Sequence, residues 1–171
     1  MVEQIEFTLK PRSKGIYLVT EEIARHLPAI TGAGMVHLFL KHTSAALAIN
    51  ENADPDVRLD MEAIFDRLVK ERETYYRHTA EGDDDMPAHA KTVLTGVSLT
   101  LPLKDGKLNL GIWQGIYLCE FRRFGGCCYC NQLKDVEKER RFVPDNSLYD
   151  ASLLNEPFVL ENQIDLQTGV S

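Results

Sequence analysis

Apolar and polar positions alternate through "QIEFTLK" at residues 4–10, where Ile5, Phe7 and Leu9 share one face. That period of two marks a half-buried strand. A second strand is expected at "GIYLVT", 15–20, after which Thr20 is placed to cap a short helix over "EEIARHLPAI" that Pro28 would end. In "GMVHLFLKHT", Val36, Leu38 and Leu40 alternate with Met35, His37 and Phe39, and both sets are mostly apolar. Such a strand belongs in the middle of a sheet, with "AALAIN", 45–50, as its expected partner. The clearest helix lies in "NADPDVRLDMEAIFDRLVKE", 52–71. Asp54 suits the N-cap, Pro55 the first helical position, and Asp56 the positive end of the helix dipole. Val57, Met61, Ile64, Phe65 and Leu68 recur at helical spacing and predict one face packed on a sheet. Pro87 is expected to open another short helix that carries His89, Lys91 and Leu94 towards Gly96. The following "VSLTLPLKDGKLNLGIWQGIYLCEF" reads as strands, with a hairpin turn at Asp105-Gly106. Strands and helices without regular βαβ alternation predict an α+β fold with mainly antiparallel strands.

The pattern changes after Gly126. Residues 127–171 hold four basic and eight acidic side chains and show no clean period. The expected organisation is therefore a domain over 1–126 and a loosely ordered tail over 127–171, docked through Leu153, Phe158 and Leu160.

A chain of 171 residues suffices for one domain with a full core. Its 19 Lys and Arg against 26 Asp and Glu give a net charge of −7, which argues against nucleic acid or an anionic membrane as partner. No apolar run approaches the roughly 20 residues that span a bilayer. The start, "MVEQIEFTLKPRSKG", lacks the layout of a secretory signal. Three of the four cysteines, Cys127, Cys128 and Cys130, fall within four positions, poor geometry for a disulfide framework, so a reduced, cytoplasmic setting is expected.

One stretch carries unusual chemistry. "HTAEGDDDMPAHAK", 78–91, crowds two histidines, four acids and a lysine around one Gly and one Pro. Two neutral imidazoles plus a third His or a carboxylate suit zinc or another transition ion, while Glu81, Asp83, Asp84 and Asp85 could ligate, orient the imidazoles or hold magnesium. A solvated acidic loop with incidental histidines is the competing interpretation. His42, at a strand end beside Thr43 and Ser44, is a second candidate, although adjacent positions rarely give a Ser–His nucleophile its geometry. His26 and His37 read as structural. Cys127 and Cys130 have the two-residue spacing of a metal or redox pair, but no second pair accompanies them. Trp113 reads as a core aromatic.

Three stretches together resemble the YjbQ family of secondary thiamine-phosphate synthases: "HTSAALAINENADPDV" from His42, "HTAEGDDDMPAHAKTVLTG" from His78 and "GIWQGIYLCEFR" from Gly111, within residues 1–123. The resemblance implies a β-sandwich with packed helices, assembled as a homotrimer around sites between subunits. It implies His42, His78 and His89 as ligands of a divalent metal, zinc or magnesium, with Asp83, Asp84, Lys91, Glu120 and Arg122 beside them as catalytic residues. The implied reaction joins hydroxymethylpyrimidine pyrophosphate to thiazole phosphate, with Lys91 and Arg122 neutralising phosphate. A metal-dependent hydrolase of a phosphorylated small molecule, and a non-catalytic trimeric binding protein or inactive variant, are the alternatives. The chain departs from the family where Ile112 stands in place of a threonine. After "EFRRFGG", "CCYCNQLKDVEKERRF" replaces the strand that closes the family's sheet, which predicts an unpaired edge and a segment 127–171 that can be removed without lowering the melting temperature.

Overall fold

The computed structural model describes residues 2–27, 29–124 and 128–135, with residues 2, 3 and 128–135 as backbone only. Pro28 and the tail positions Leu153, Phe158 and Leu160 lie outside the described residues, as does Cys127. All described elements belong to the unit Met1–Lys138. They run β1 (Val2–Leu9), β2 (Gly15–Leu18), α1 (Thr20–Ala24), β3 (Ala33–Leu40), β4 (Ala45–Glu51), α2 (Asp56–Leu68), α3 (Asp85–Thr95), β5 (Ser98–Lys104), β6 (Lys107–Leu108), β7 (Gln114–Glu120) and β8 (Cys128–Asp135).

The strands form two sheets, β1-β8-β3-β5-β6 and β2-β7-β4, and every pairing is antiparallel. This is the expected α+β sandwich. Alternation along the strands builds its layers. Leu9, Leu38, Leu40, Leu101 and Leu103 from the larger sheet share a core with Leu47, Ile116 and Leu118 from the smaller one. The opposite face of the smaller sheet presents Ala46, Ala48 and Cys119, and these pack against Ala88 of α3 and Phe65 of α2. One sheet thus has apolar side chains on both faces, a large set towards its partner sheet and a small set towards the helices. Full burial of each Leu or Ile contributes roughly 1.5–3 kcal/mol, so the inter-sheet layer dominates stability.

β3 is central, as its two apolar faces predicted, but its neighbours are β5 and β8. The expected pairing with "AALAIN" is corrected: β4 pairs with β7 in the other sheet. Only residues 41–44 join β3 to β4, with the His42 amide donating to the Leu40 carbonyl at 2.9 Å, and this tight turn carries the chain from one sheet to the other. The hairpin at Asp105-Gly106 is present, with both residues at positive φ as a two-residue turn requires.

Two helix starts differ from expectation. Thr20 is the first residue of α1 rather than its cap, because its Oγ1 accepts the Ile116 amide at 2.8 Å. α3 begins at Asp85, two residues ahead of Pro87. For α2, Asp54 Oδ1 accepts the Asp56 amide at 2.9 Å, so the expected capping residue serves the first turn. Its apolar stripe is only partly covered: Val57, Met61 and Phe65 are half-buried, whereas Ile64 and Leu68 are exposed. Among the described residues no helix is long and apolar enough to cross a membrane.

The C-terminal expectation is also corrected. Ordered structure continues beyond Gly126, because β8 lies between β1 and β3 and pairs with both. Eight residues without a clean period, "CYCNQLKD", suffice for a strand whose neighbours already exist on either side. Among the described residues β1 has no other ladder, so β8 is what joins it to the sheet. A chain ended after Gly126 is expected to lose its cooperative thermal transition, and one ended after Lys138 to keep it. Circular dichroism melts of the two chains would check this, and equal melting temperatures would contradict the strand's role.

Candidate metal centre

The segment between α2 and α3 is held at both ends before it delivers His78. Tyr76 donates its hydroxyl to the Lys70 carbonyl at 3.0 Å, Arg72 Nε pairs with Asp83 Oδ2 at 2.6 Å, and Arg123 pairs with Glu71. Gly82, at φ 112, turns the chain into α3, and its carbonyl accepts the Asp85 amide. Asp84 is the N-cap residue of α3, Asp85 its first helical position and His89 stands one turn later. Residues four apart share a helix face, so Asp85 and His89 project to the same side.

His78, Asp85 and His89 each offer a ligand atom, and these atoms lie within 4.8 Å of one another. Asp85 Oδ2 is 2.6 Å from His78 Nε2 and 3.4 Å from His89 Nε2. Yet among the described residues Oδ2 has no hydrogen-bond partner, although Asp85 is only 1% exposed. Oδ2 is within ion-pair distance of both imidazoles without a hydrogen bond to either, so three potential ligand atoms converge on one place. A buried, unsatisfied carboxylate oxygen is unfavourable by roughly 1–3 kcal/mol or more, which a cation among the three atoms would reverse. His89 Nδ1 lies 2.9 Å from the Thr43 carbonyl, an acceptor only, so it carries the proton and leaves the Nε2 lone pair directed at Asp85.

Asp85 is set by Arg122. One guanidinium spans Asp85 Oδ1 through Nη1, Asp84 Oδ2 through Nε at 3.2 Å and the Glu81 carbonyl through Nη2 at 2.8 Å. With Oδ1 engaged, Oδ2 faces the imidazoles. Burial would raise the Asp84 carboxyl, but the Arg123 amide at 2.9 Å and the Arg122 charge hold it below its usual range.

The other expected site residues fall in different places. His42 is outside the converging set; its Nδ1 accepts the Ser44 amide at 3.1 Å within its own turn. Asp83 is exposed and pairs with Arg72. Glu120 is buried at the end of β7, where Oε1 accepts the Arg122 amide at 3.0 Å. Lys91 is buried, and its Nζ donates to Asp66 Oδ1 at 2.6 Å while Lys14 takes Oδ2 at 2.7 Å. Burial tends to raise Asp66, yet the two lysines pull it below the usual carboxylate range. Lys91 and Arg122, expected to neutralise phosphate, are therefore both engaged with the chain's own carboxylates. His37 Nδ1 sits 2.9 Å from the Thr100 hydroxyl and His26 stacks on Phe7, as structural histidines would. Trp113 is exposed in the turn before β7, not in the core. The residue underweighted from sequence is Asp85. Its spacing of four from His89 was the available signal, hidden while the helix was taken to start at Pro87.

The family model for UPF0047 protein YjbQ-like chains matches residues 4–136. The UPF0047 protein YjbQ of Salmonella typhimurium is 47% identical over 125 residues, 72% of this chain and 90% of that one. A solved uncharacterised conserved protein of the YjbQ/UPF0047 family from Clostridium acetobutylicum superposes with a TM-score of 0.65 at 34% identity, covering 75% of this chain and 97% of its own. A conserved hypothetical protein from Thermus thermophilus gives 0.67 at 31% identity over 75% and 97%. These relatives correct the expected thiamine-phosphate synthase activity: they carry a family designation of uncharacterised function and no such reaction.

Both Asp66 and Asp84 titrate lower in the folded chain than in the unfolded one. Their contribution is complete above the unfolded value of ~3.9 and is lost as pH falls through it and below. Melting temperature is expected to drop between about pH 5 and about pH 3. Asp66→Asn and Asp84→Asn should melt lower at neutral pH and show a flatter acid dependence, measured by differential scanning fluorimetry.

Proposed function

This chain belongs to the YjbQ-like UPF0047 family, and from that premise we propose that it is a divalent-metal protein whose ion is held by His78, Asp85 and His89. The observation that carries this reading is Asp85 Oδ2, buried and without a hydrogen bond, set between two imidazole nitrogens. Two histidines and one carboxylate are a donor set for a transition ion, with zinc favoured and further positions left for water or an oxygen ligand. The lone pair that His89 presents, fixed by the Thr43 carbonyl, suits such an ion better than magnesium, which prefers oxygen ligands. When bound, the ion supplies Lewis acidity to whatever oxygen joins it. The chain's own part is to orient. Arg122 holds Asp85, the Thr43 carbonyl sets the His89 ring, and the Arg72–Asp83 pair steadies the segment that carries His78.

Protein purified without chelators or a polyhistidine tag is expected to hold about one transition ion per chain by elemental mass spectrometry. His78→Ala, Asp85→Asn and His89→Ala should each lose most of it, and Asp83→Asn should keep it. Metal retained at the native level in Asp85→Asn and His89→Ala would sink the assignment.

We also infer self-association, as a homotrimer. Leu59, Ile64 and Leu68 of α2 and Val93 of α3 are exposed, as are Met35 and Phe39 on β3, and they offer apolar side chains for contact between copies. Light scattering is expected to give about three times the chain mass. A monomer at all concentrations would refute it.

A further inference from the structure

A second site lies at the other end of α3. The helix places Thr95 ten residues on from Asp85, about 15 Å along its axis. There a cavity of about 200 Å³ opens between α2 and the smaller sheet. Its apolar walls include Ile16, Met61 and Phe65, and its polar lining includes Asn50, Glu51, Arg58, Thr95 and Tyr117. The volume is roughly that of six waters, room for a small organic molecule.

The polar groups are arranged in a way that the fold itself does not explain. Arg58 and Glu51 line one cavity, yet among the described residues neither side chain forms an ion pair with the other or with a third residue. Thr95 Oγ1 is buried and has no hydrogen-bond partner among the described residues. Tyr117, at the same cavity, registers both charges. Burial pushes its phenol up, Arg58 pulls it down and Glu51 pushes it up again, while its hydroxyl donates to the Glu51 carbonyl at 2.6 Å. Two opposite half-buried charges that share a partly apolar cavity without pairing would gain from a ligand that carries both complements.

We propose that this cavity binds a small zwitterion with an apolar body, of the class of an apolar α-amino acid. Its carboxylate meets the Arg58 guanidinium, planar and suited to bidentate contact, with the Thr95 hydroxyl as a further donor. Its ammonium meets Glu51, and its side chain lies against Ile16, Met61 and Phe65. The site is independent of the metal centre and does not require it.

Calorimetric titration with free leucine, methionine and phenylalanine tests this, with N-acetylleucine and leucinamide as analogues that lack one charge each. At least one free amino acid is expected to bind saturably, about one per chain, and each blocked analogue about tenfold more weakly or worse. Arg58→Met and Glu51→Gln should each lose about tenfold in affinity or more, in protein whose melting transition is retained. Absence of binding by all three amino acids up to about 10 mM, blocked analogues that bind as well as the free forms, or unchanged affinity in a folded Glu51→Gln chain would overturn the proposal.

Discussion

The arrangement of the metal centre depends on one guanidinium. Arg122 stands just beyond β7, where the backbone leaves the smaller sheet, and reaches the first turn of α3 and the segment before it. Without that charge Asp84 and Asp85 would be two adjacent carboxylates taken out of water, an arrangement that folding strongly disfavours. With it, one oxygen of Asp85 is neutralised and the other is left for the histidines. The same contact therefore permits the burial and creates the unsatisfied atom. Lys91 performs a parallel task two residues past His89, on another face of the helix. It draws Asp66 of α2 against α3, so that both helices sit on the small-residue face of the sheet.

That sheet is the shared wall of the molecule. Along β4, Ala45 and Leu47 face the larger sheet, while Ala46 and Ala48 face the helices. The small side chains on the helix side let α3 approach closely, with Ala88 fully buried against them. Close approach fixes the height of α3 over the sheet, and with it the positions of Asp85, His89 and Thr95. Packing thus sets the geometry of two chemically different places at opposite ends of one helix.

Much of this was legible in the sequence. Period-two alternation located β1 and β3, the stretch 97–121 read as the strands that became β5 and β7, the Asp54-Pro55-Asp56 run marked the start of α2, and Asp105-Gly106 marked the hairpin. His78 and His89 stood out as two imidazoles among four acids, and the family resemblance favoured a site there over a solvated loop. What stayed hidden was long-range. Alternation says that a strand has two faces but not which strand lies beside it, so β4 was paired with the wrong sheet. Asp85 was one acid among three in a row until the helix start placed it four residues before His89. The lack of a clean period disguised β8 as tail, because a strand inserted between two existing neighbours can take its structure from them.

The position of β8 also bears on how the chain acquires its fold as it is made. The strand that joins β1 to β3 is the last of the described strands in the sequence, and its first partner is the first of them. Nearly the whole domain must therefore be synthesised before the larger sheet can close, and its ladders link residues of very large sequence separation. Contacts of that kind make folding slow. Until β8 arrives, β1 and one edge of β3 remain open to the strands of other chains. The emerging polypeptide is accordingly most exposed to aggregation, and most dependent on whatever shields it, in the interval just before β8 leaves the ribosome.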